Sequence, residues 1–391
     1  MFLAALTARN PALLDAAARL HRAGGIPPDT YVLDLDAVEA NAELLAAGAR
    51  RHGLTLWFVA KQFGRNPELV RAVARHIPRY AAIDAAEART LDAAGARPGN
   101  LGHLVQIPVR ELPRVLARRP TAITVYDAAG ARAVARAMTR SAGDPGRVQD
   151  LLVRLESPPG EGFPGQEGGV PPDALPAFAD TVERLPGVRL AGVTAFPCLR
   201  PDPVSGRPET TGALAAARTA VTALAARGTP RPLFSAPGMT CTATLPLLAA
   251  AGATHGEPGH ALTGTTPPHA TDPGQPEIPA YVYVTEVAHT LADGRPALFG
   301  GGFYARGRAR SALLPRTGLR LPVERAPAGW IDYYRLLAAP PRPGAVRTGD
   351  TALLAFRTQM FVTRSTVAVI GGLSTGPGRL TGLYDSRGTP L

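Results

Sequence analysis

Lysine is almost missing from this chain: of 42 basic residues, 41 are arginine and one, Lys61, is lysine. Arginine keeps its proton in a protein and cannot serve as an amine nucleophile, so that chemistry is excluded everywhere except at Lys61. A lysine amine, by contrast, condenses with carbonyl compounds. Cysteine is scarce too, with only Cys198 and Cys241. A disulfide-stapled scaffold is therefore excluded, and a reducing cytoplasm is the expected compartment. No apolar run approaches the roughly 20 residues needed to span a bilayer, so no membrane partner is expected. The opening MFLAALTARNPALLDAAARL has neither a charged leader nor a long apolar stretch, and no secretory signal is expected.

What remains is a 391-residue chain, 45% hydrophobic and 19% charged, with 42 glycines and 40 prolines. That is a globular composition, long enough for two to three domains of about 150 residues each. The net charge is +11. The arginines are scattered at helix-like intervals, and the densest short run is Arg306, Arg308 and Arg310. No recognition helix or zinc signature accompanies them, so no nucleic-acid partner is expected. An anionic small molecule is compatible with the charge.

Between residues 31 and 260 a short apolar run repeatedly precedes an Ala/Leu/Arg-rich amphipathic stretch. Eight runs read as strands: 56–61, 79–84, 100–105, 122–127, 150–156, 189–197, 232–237 and 254–259. Eight β-α units predict an α/β fold, a closed (β/α)8 TIM-type barrel. An open doubly wound sheet would want a GxGxxG turn after its first strand, and there is none. Beyond about 280 the segments are β-rich, alternate in polarity and are separated by turns, which predicts a mostly antiparallel β domain. The expected division is a helical segment at 1–25, the barrel at 26–270 and the β domain at 271–391. The Gly/Pro-rich 158–172 reads as a long loop on the functional face, and 264–279 as a linker leaving the barrel.

A barrel keeps its functional residues at the C-terminal ends of its strands. Lys61 is expected to end the first strand, with Asp84, Arg154, Pro197, Ser235 and Glu257 at comparable places. His103 is core or pocket; a lone strand histidine is more often structural. A buried Arg154 needs an anion, either a ligand or a salt bridge with Glu156 or Asp84. Tyr333 and Tyr334 read as packing residues.

Several segments carry a family resemblance. TYVLDLDAVEAN, FVAKQFGRNPELVRAV, AAIDAAEARTLDAAG and HGEPGHALTG resemble the fold-type III pyridoxal-phosphate enzymes, which include alanine racemase and the diaminopimelate and ornithine decarboxylases. FVAKQFGRNP, EPGHALTGTTPPHA and FRTQMFVTRS are most similar to the YhfX-type alanine-racemase-like proteins within that group. The resemblance implies pyridoxal 5'-phosphate as cofactor and no catalytic metal. Lys61 would be the Schiff-base lysine and one catalytic base. Glu257 would pair with the pyridine nitrogen, where racemases carry arginine, and would favour its protonated form. Ser235, Gly238, Met239, Thr240, Gly259 and His260 would line the phosphate loops, which in barrels gather at the last two strands. Arg154 would lie near the phenolic oxygen or the substrate carboxylate. Phe196 would stack on the ring where decarboxylases place histidine. Cys198 beyond it is either a small buried residue or an acid–base group.

A racemase needs a second base on the opposite face, which the resemblance places in a partner subunit, so a homodimer is implied. Tyr304, Tyr384 and Cys241 are the candidates, and Tyr384 could bind phosphate instead. Arg357, Gln359 and Arg364 could hold a substrate carboxylate or line a sheet face. The expected function is a cytoplasmic amino-acid racemase or epimerase acting on a small-molecule substrate. The alternatives are a decarboxylase or other α-carbon lyase, suggested by Glu257, and a low-turnover cofactor-binding protein.

Overall fold

The computed structural model describes residues 2–140, 146–202, 205–302, 307–327 and 329–391. The chain forms two compact units.

One unit comprises Glu43–Val59 and Val73–Gly259. Its eight parallel strands follow chain order: Thr55–Leu56, Arg79–Ala82, Arg97–Leu101, Ala122–Val125, Gln149–Arg154, Val188–Thr194, Leu233–Ser235 and His255–Gly256. A parallel bridge between Phe58 and Tyr80 joins the first strand to the second, and the first also pairs with the last, so the ring closes. All eight expected strands are present, each shorter than its apolar run. Trp57, Val59, Ala81, Ala122 and Leu152, from these strands or just after the first of them, form one buried cluster. Trp57 dictates a glycine: a Cβ on Gly99 would sit 2.4 Å from its ring. Helices cover the outside through narrow small-residue faces, as in Ala128–Arg140, which buries Ala131, Val134 and Ala135.

The second unit comprises Met1–Ala42, Ala60–Ala72 and His260–Leu391. Its nine-stranded sheet runs Leu319–Pro322, Ser311–Leu314, Thr351–Leu354, Tyr281–Thr290, Thr30–Asp34, Thr366–Gly371 and Arg379–Tyr384, with Pro296–Phe299 and Tyr334–Leu336 off this path. Every pairing is antiparallel except Thr30–Asp34 with Thr366–Gly371. Helices Phe2–Arg9 and Pro11–Arg22 pack on this sheet through Leu6, Leu13 and Ala17 against Val32, Val282 and Ile370. Asn10 starts the second helix by accepting from the Leu13 amide at 3.3 Å, with Pro11 at its first position.

Three expectations are corrected. The strand at Thr30–Asp34 belongs to the β unit rather than to a barrel beginning at 26, because its two edges pair with strands Tyr281–Thr290 and Thr366–Gly371 of that unit's sheet. Segment 264–279 is packed rather than a linker: His269 and Glu277 are both buried and pair at 3.2 Å. Tyr333 and Tyr334 are 60% and 44% exposed. Tyr334 opens the strand at the off-path edge of the sheet, and Tyr333 directly precedes it.

Candidate functional site

Inside the barrel unit the focus is Glu257, one residue past the last strand. Its side chain is fully buried. Oε1 accepts from Ser235 Oγ at 2.7 Å and from Asn100 Nδ2 at 3.3 Å, and Oε2 meets Nδ1 of His103. Asn100 in turn accepts from Thr124 Oγ1 at 2.8 Å. The groups come from the third, fourth, seventh and eighth barrel strands or the turns just after them, so Glu257 reaches across the interior. Burial pushes its carboxyl up, but the charge of His103 and the bonds from His103, Ser235 and Asn100 outweigh that and hold it below the ordinary carboxylate range. The result is a buried anion. His255, two residues earlier, stacks on Trp57 at 4.1 Å between ring centres, and burial lowers it to about 4, against the pull of Glu257.

In the β unit the focus is Lys61. It does not end a strand as expected. It opens a 3-10 turn, Lys61–Phe63, because Gly64 takes a left-handed φ of 66° that reverses the chain. A Cβ there would meet the Ser386 carbonyl oxygen at 3.0 Å. Asn66 then caps the following helix, accepting from Glu68 and Leu69. Lys61 is 6% exposed. His260 is equally enclosed; burial first, then the charges of Arg357, Lys61 and His269, hold it well below its ordinary value, so it is neutral. Its Nδ1 lies 3.2 Å from Thr265 Oγ1, while Nε2 is buried without a hydrogen-bond partner.

The remaining expected residues divide. Ser235 and Thr240 are tied to Glu257, by hydroxyl to carboxylate and by Thr240 Oγ1 accepting the Glu257 amide at 3.3 Å. Gly238 and Met239 have φ of 124° and 51°, so the loop after the seventh strand turns through two successive left-handed residues. Gly259 lies two residues beyond Glu257. Arg154 pairs with neither Glu156 nor Asp84 among the described residues; Asp84 instead caps helix Ala85–Ala93. Phe196 packs on Phe163 at 5.7 Å and has Arg154 over its ring at 5.9 Å.

Other expected side chains have structural duties. Cys241 is wholly buried in a capping box with Thr244. Cys198 is buried, its thiol pushed far up by burial and donating to the Ala195 carbonyl at 3.1 Å. Tyr384 donates to Glu68 Oε1 at 2.5 Å, and burial and that carboxylate push it up to about 12. Arg364 lies 3.5 Å from Asp29 and 3.7 Å from Asp332. Arg357 acts on His260 and Tyr281, and Gln359 precedes the turn Met360–Val362. Tyr304 lies outside the described residues.

His103, Asn100 and Thr124 are the residues that sequence reasoning underrated or missed. The rule of strand C-terminal ends would have pointed to His103, which follows Leu101 by two. The fit to pyridoxal phosphate can be judged on buried atoms. Taken unit by unit, the β unit encloses an amine, Lys61, and an imidazole nitrogen without a hydrogen-bond partner, and the barrel unit encloses a carboxylate held as an anion, chemistry that fits the group.

Comparison with known proteins places this geometry. Residues 33–267 match the alanine racemase, N-terminal domain family, and residues 282–380 the YhfX-like, C-terminal domain family. The uncharacterized protein YhfX of Escherichia coli (strain K12) is 37% identical over 401 residues, covering 100% of both chains. Among solved structures, D-threonine aldolase from Filomicrobium marinum matches with a TM-score of 0.69 at 17% identity, over 93% of this chain and 95% of that one. D-threo-3-hydroxyaspartate dehydratase from Delftia sp. HT23 matches at 0.66 and 18%, over 90% and 95%. Alanine racemase of Clostridium difficile 630 matches at 0.64 and 13%, over 91% and 98%. At these identities the structural likeness shows a shared fold.

Proposed function

Since the chain belongs to the family with an alanine racemase N-terminal domain, joined to a YhfX-like C-terminal domain, we propose that it is a pyridoxal-phosphate enzyme acting at the α-carbon of an amino acid, as a racemase or epimerase. The observation that carries this reading is Lys61: the only lysine of the chain, enclosed to 6% exposure. Bound pyridoxal phosphate supplies an electron sink for negative charge at the α-carbon.

The chain's own residues do the rest. Lys61 would hold the cofactor through its amine, and the same amine would move the α-proton on one face. Glu257 is the carboxylate assigned to the ring nitrogen, and His103, Ser235 and Asn100 keep it ionised. Gly238, Met239, Thr240, Gly259 and His260 are assigned to the phosphate and Phe196 to the ring face. Arg154 is assigned to the phenolic oxygen or the substrate, and Arg357 and Gln359 to the substrate carboxylate. Tyr384 and Cys241 are occupied, by Glu68 and by a capping box. This leaves Tyr304, contributed by the second subunit of a homodimer, as the proposed opposite-face base. The cytoplasm is the proposed compartment; no helix among the described residues is long and apolar enough to cross a membrane.

Borohydride reduction followed by peptide mass mapping tests the reading. The expected result is the cofactor's mass fixed on the Lys61 peptide, and its absence in Lys61→Arg. No adduct after incubation with excess pyridoxal phosphate overturns it. An amino-acid panel then separates reactions: solvent deuterium at the α-carbon of both enantiomers without CO2 is racemisation. A second reading, an α-carbon lyase, is favoured by the anionic Glu257 and would show as CO2 or a cleaved carbonyl product.

A further inference from the structure

Segment 264–279 of the β unit is irregular apart from one short helix, Pro267–Thr271. Its path is therefore set by side chains and by close contact. The two limbs touch: the Ala280 amide donates to the Thr263 carbonyl at 3.1 Å, and a Cβ on Gly264, whose φ is 61°, would fall 2.4 Å from the Ile278 carbonyl oxygen. The far limb is fixed from outside. Arg9 donates to the carbonyls of Pro276 at 3.1 Å and Glu277 at 2.9 Å, and Asn41 binds both backbone groups of Ile278.

A buried series of polar side chains runs from that limb to the other. Glu277 Oε2 lies 3.2 Å from His269 Nε2, and the two side chains are 0% and 1% exposed. His269 Nδ1 lies 2.5 Å from Thr266 Oγ1. One residue earlier, Thr265 Oγ1 lies 3.2 Å from Nδ1 of His260 and 2.9 Å from the Thr263 hydroxyl. The His260 ring is thus held by one edge, and its Nε2 is buried without a hydrogen-bond partner. A buried nitrogen in that state demands a partner. With Thr265 donating to Nδ1, Nε2 carries the hydrogen and can donate it to an anion. Such an anion also meets the positive charges that act on this ring, those of Arg357, Lys61 and His269.

Stability alone does not call for a buried ion pair, because apolar residues of similar volume often serve as well. Apolar contacts lack direction. An imidazole set between a carboxylate and a hydroxyl fixes the direction of the Thr266 side chain.

We propose that His269 and Glu277 are positioning residues: through Thr266 they set the turn His260–Thr265 so that His260 Nε2 meets the phosphate. The proposal rests on the reading above, which assigns His260 to that group, and adds two residues outside it.

Absorbance titration of the full-length apoprotein with pyridoxal 5'-phosphate and with pyridoxal, which lacks the phosphate, tests this as a ratio of affinities. A pair that only stabilised the fold would leave the ratio alone. The double variant His269→Leu/Glu277→Met removes both charges together, so neither is left buried and uncompensated. It lowers the preference for the phosphorylated compound roughly tenfold, the scale of one charge-assisted hydrogen bond, while pyridoxal affinity stays within about twofold. Thr266→Val has the same effect, and Thr266→Ser, which keeps the hydroxyl, retains the preference. An unchanged preference in the double variant overturns the proposal, or in Thr266→Val should the double variant fail to fold. So does Thr266→Ser losing as much as Thr266→Val, or equal binding of the two compounds by the unaltered chain. The borohydride adduct on Lys61 of the unaltered chain is scored alongside. An adduct with the preference unchanged in the variants sinks this inference and spares the parent reading; no adduct sinks both.

Discussion

His103 and Glu257 meet inside the barrel, Nδ1 against Oε2, with 7% and 0% of their side chains exposed. One comes from the turn after the third strand and the other from the turn after the eighth. Their contact turns a carboxyl that burial would neutralise into an anion.

Removing one partner of such a pair leaves the other buried and uncompensated, at a cost of about 3–5 kcal/mol. His103→Ala is expected to lower the unfolding free energy on the order of 3 kcal/mol, since Ser235 and Asn100 still serve Glu257. Urea unfolding reads this directly; a loss under about 1 kcal/mol would show that the pair is not a stabilising contact.

The acid limb of stability should carry two contributions. His255 titrates at about 4 in the fold against 6.5 unfolded. Between those values the unfolded chain binds more protons, so stability falls as the pH drops, by roughly 3 kcal/mol in all. Glu257 has a depressed folded value, so its contribution is present above the ordinary 4.5 and is lost as the pH falls through the folded value. His255→Gln is expected to flatten the curve between pH 6.5 and 4 and leave the steeper loss below it. Melting temperatures across that range decide the matter; an unaltered slope in the variant would remove His255 from the account.

Gly99→Ala is expected to destabilise by about 2 kcal/mol, the usual scale of overpacking, because its Cβ would fall 2.4 Å from Trp57. Trp57→Leu costs stability by itself through a cavity. The double variant should nevertheless be more stable than the sum of the two changes implies, and a double-mutant cycle measures that coupling.

Glu161→Ala removes a carboxylate that caps helix Gly212–Ala226 from a distant loop. About 1 kcal/mol of stability should go with it. Hydrogen exchange should quicken in residues 158–172 before it does in the barrel strands. Uniform quickening across the unit would instead mean that the loop is not held by this contact.

Much of this was legible beforehand. Hydrophobic runs alternating with amphipathic stretches announced eight parallel strands, because each strand is buried on both faces and each helix on one. The scarcity of lysine singled out Lys61 by chemistry. What was not legible has a common cause. Thr30–Asp34 reads like any apolar strand, and nothing local tells it to join a sheet made mostly of residues beyond 280. Segment 264–279 has the composition of a linker, yet Asn41 binds it by accepting from the Ile278 amide at 2.7 Å and donating to the Ile278 carbonyl at 2.8 Å.

The sequence by itself therefore determined the element types, the barrel and the residue able to act as an amine, since propensity, periodicity and side-chain chemistry are properties of local composition. Tertiary structure alone decided which partner each polar group receives. It gave Glu257 to His103 rather than to an arginine, Tyr384 to Glu68, and Arg154 to no carboxylate among the described residues. Those choices depend on which side chains share a low-dielectric interior, and that is set by packing between segments distant in the chain.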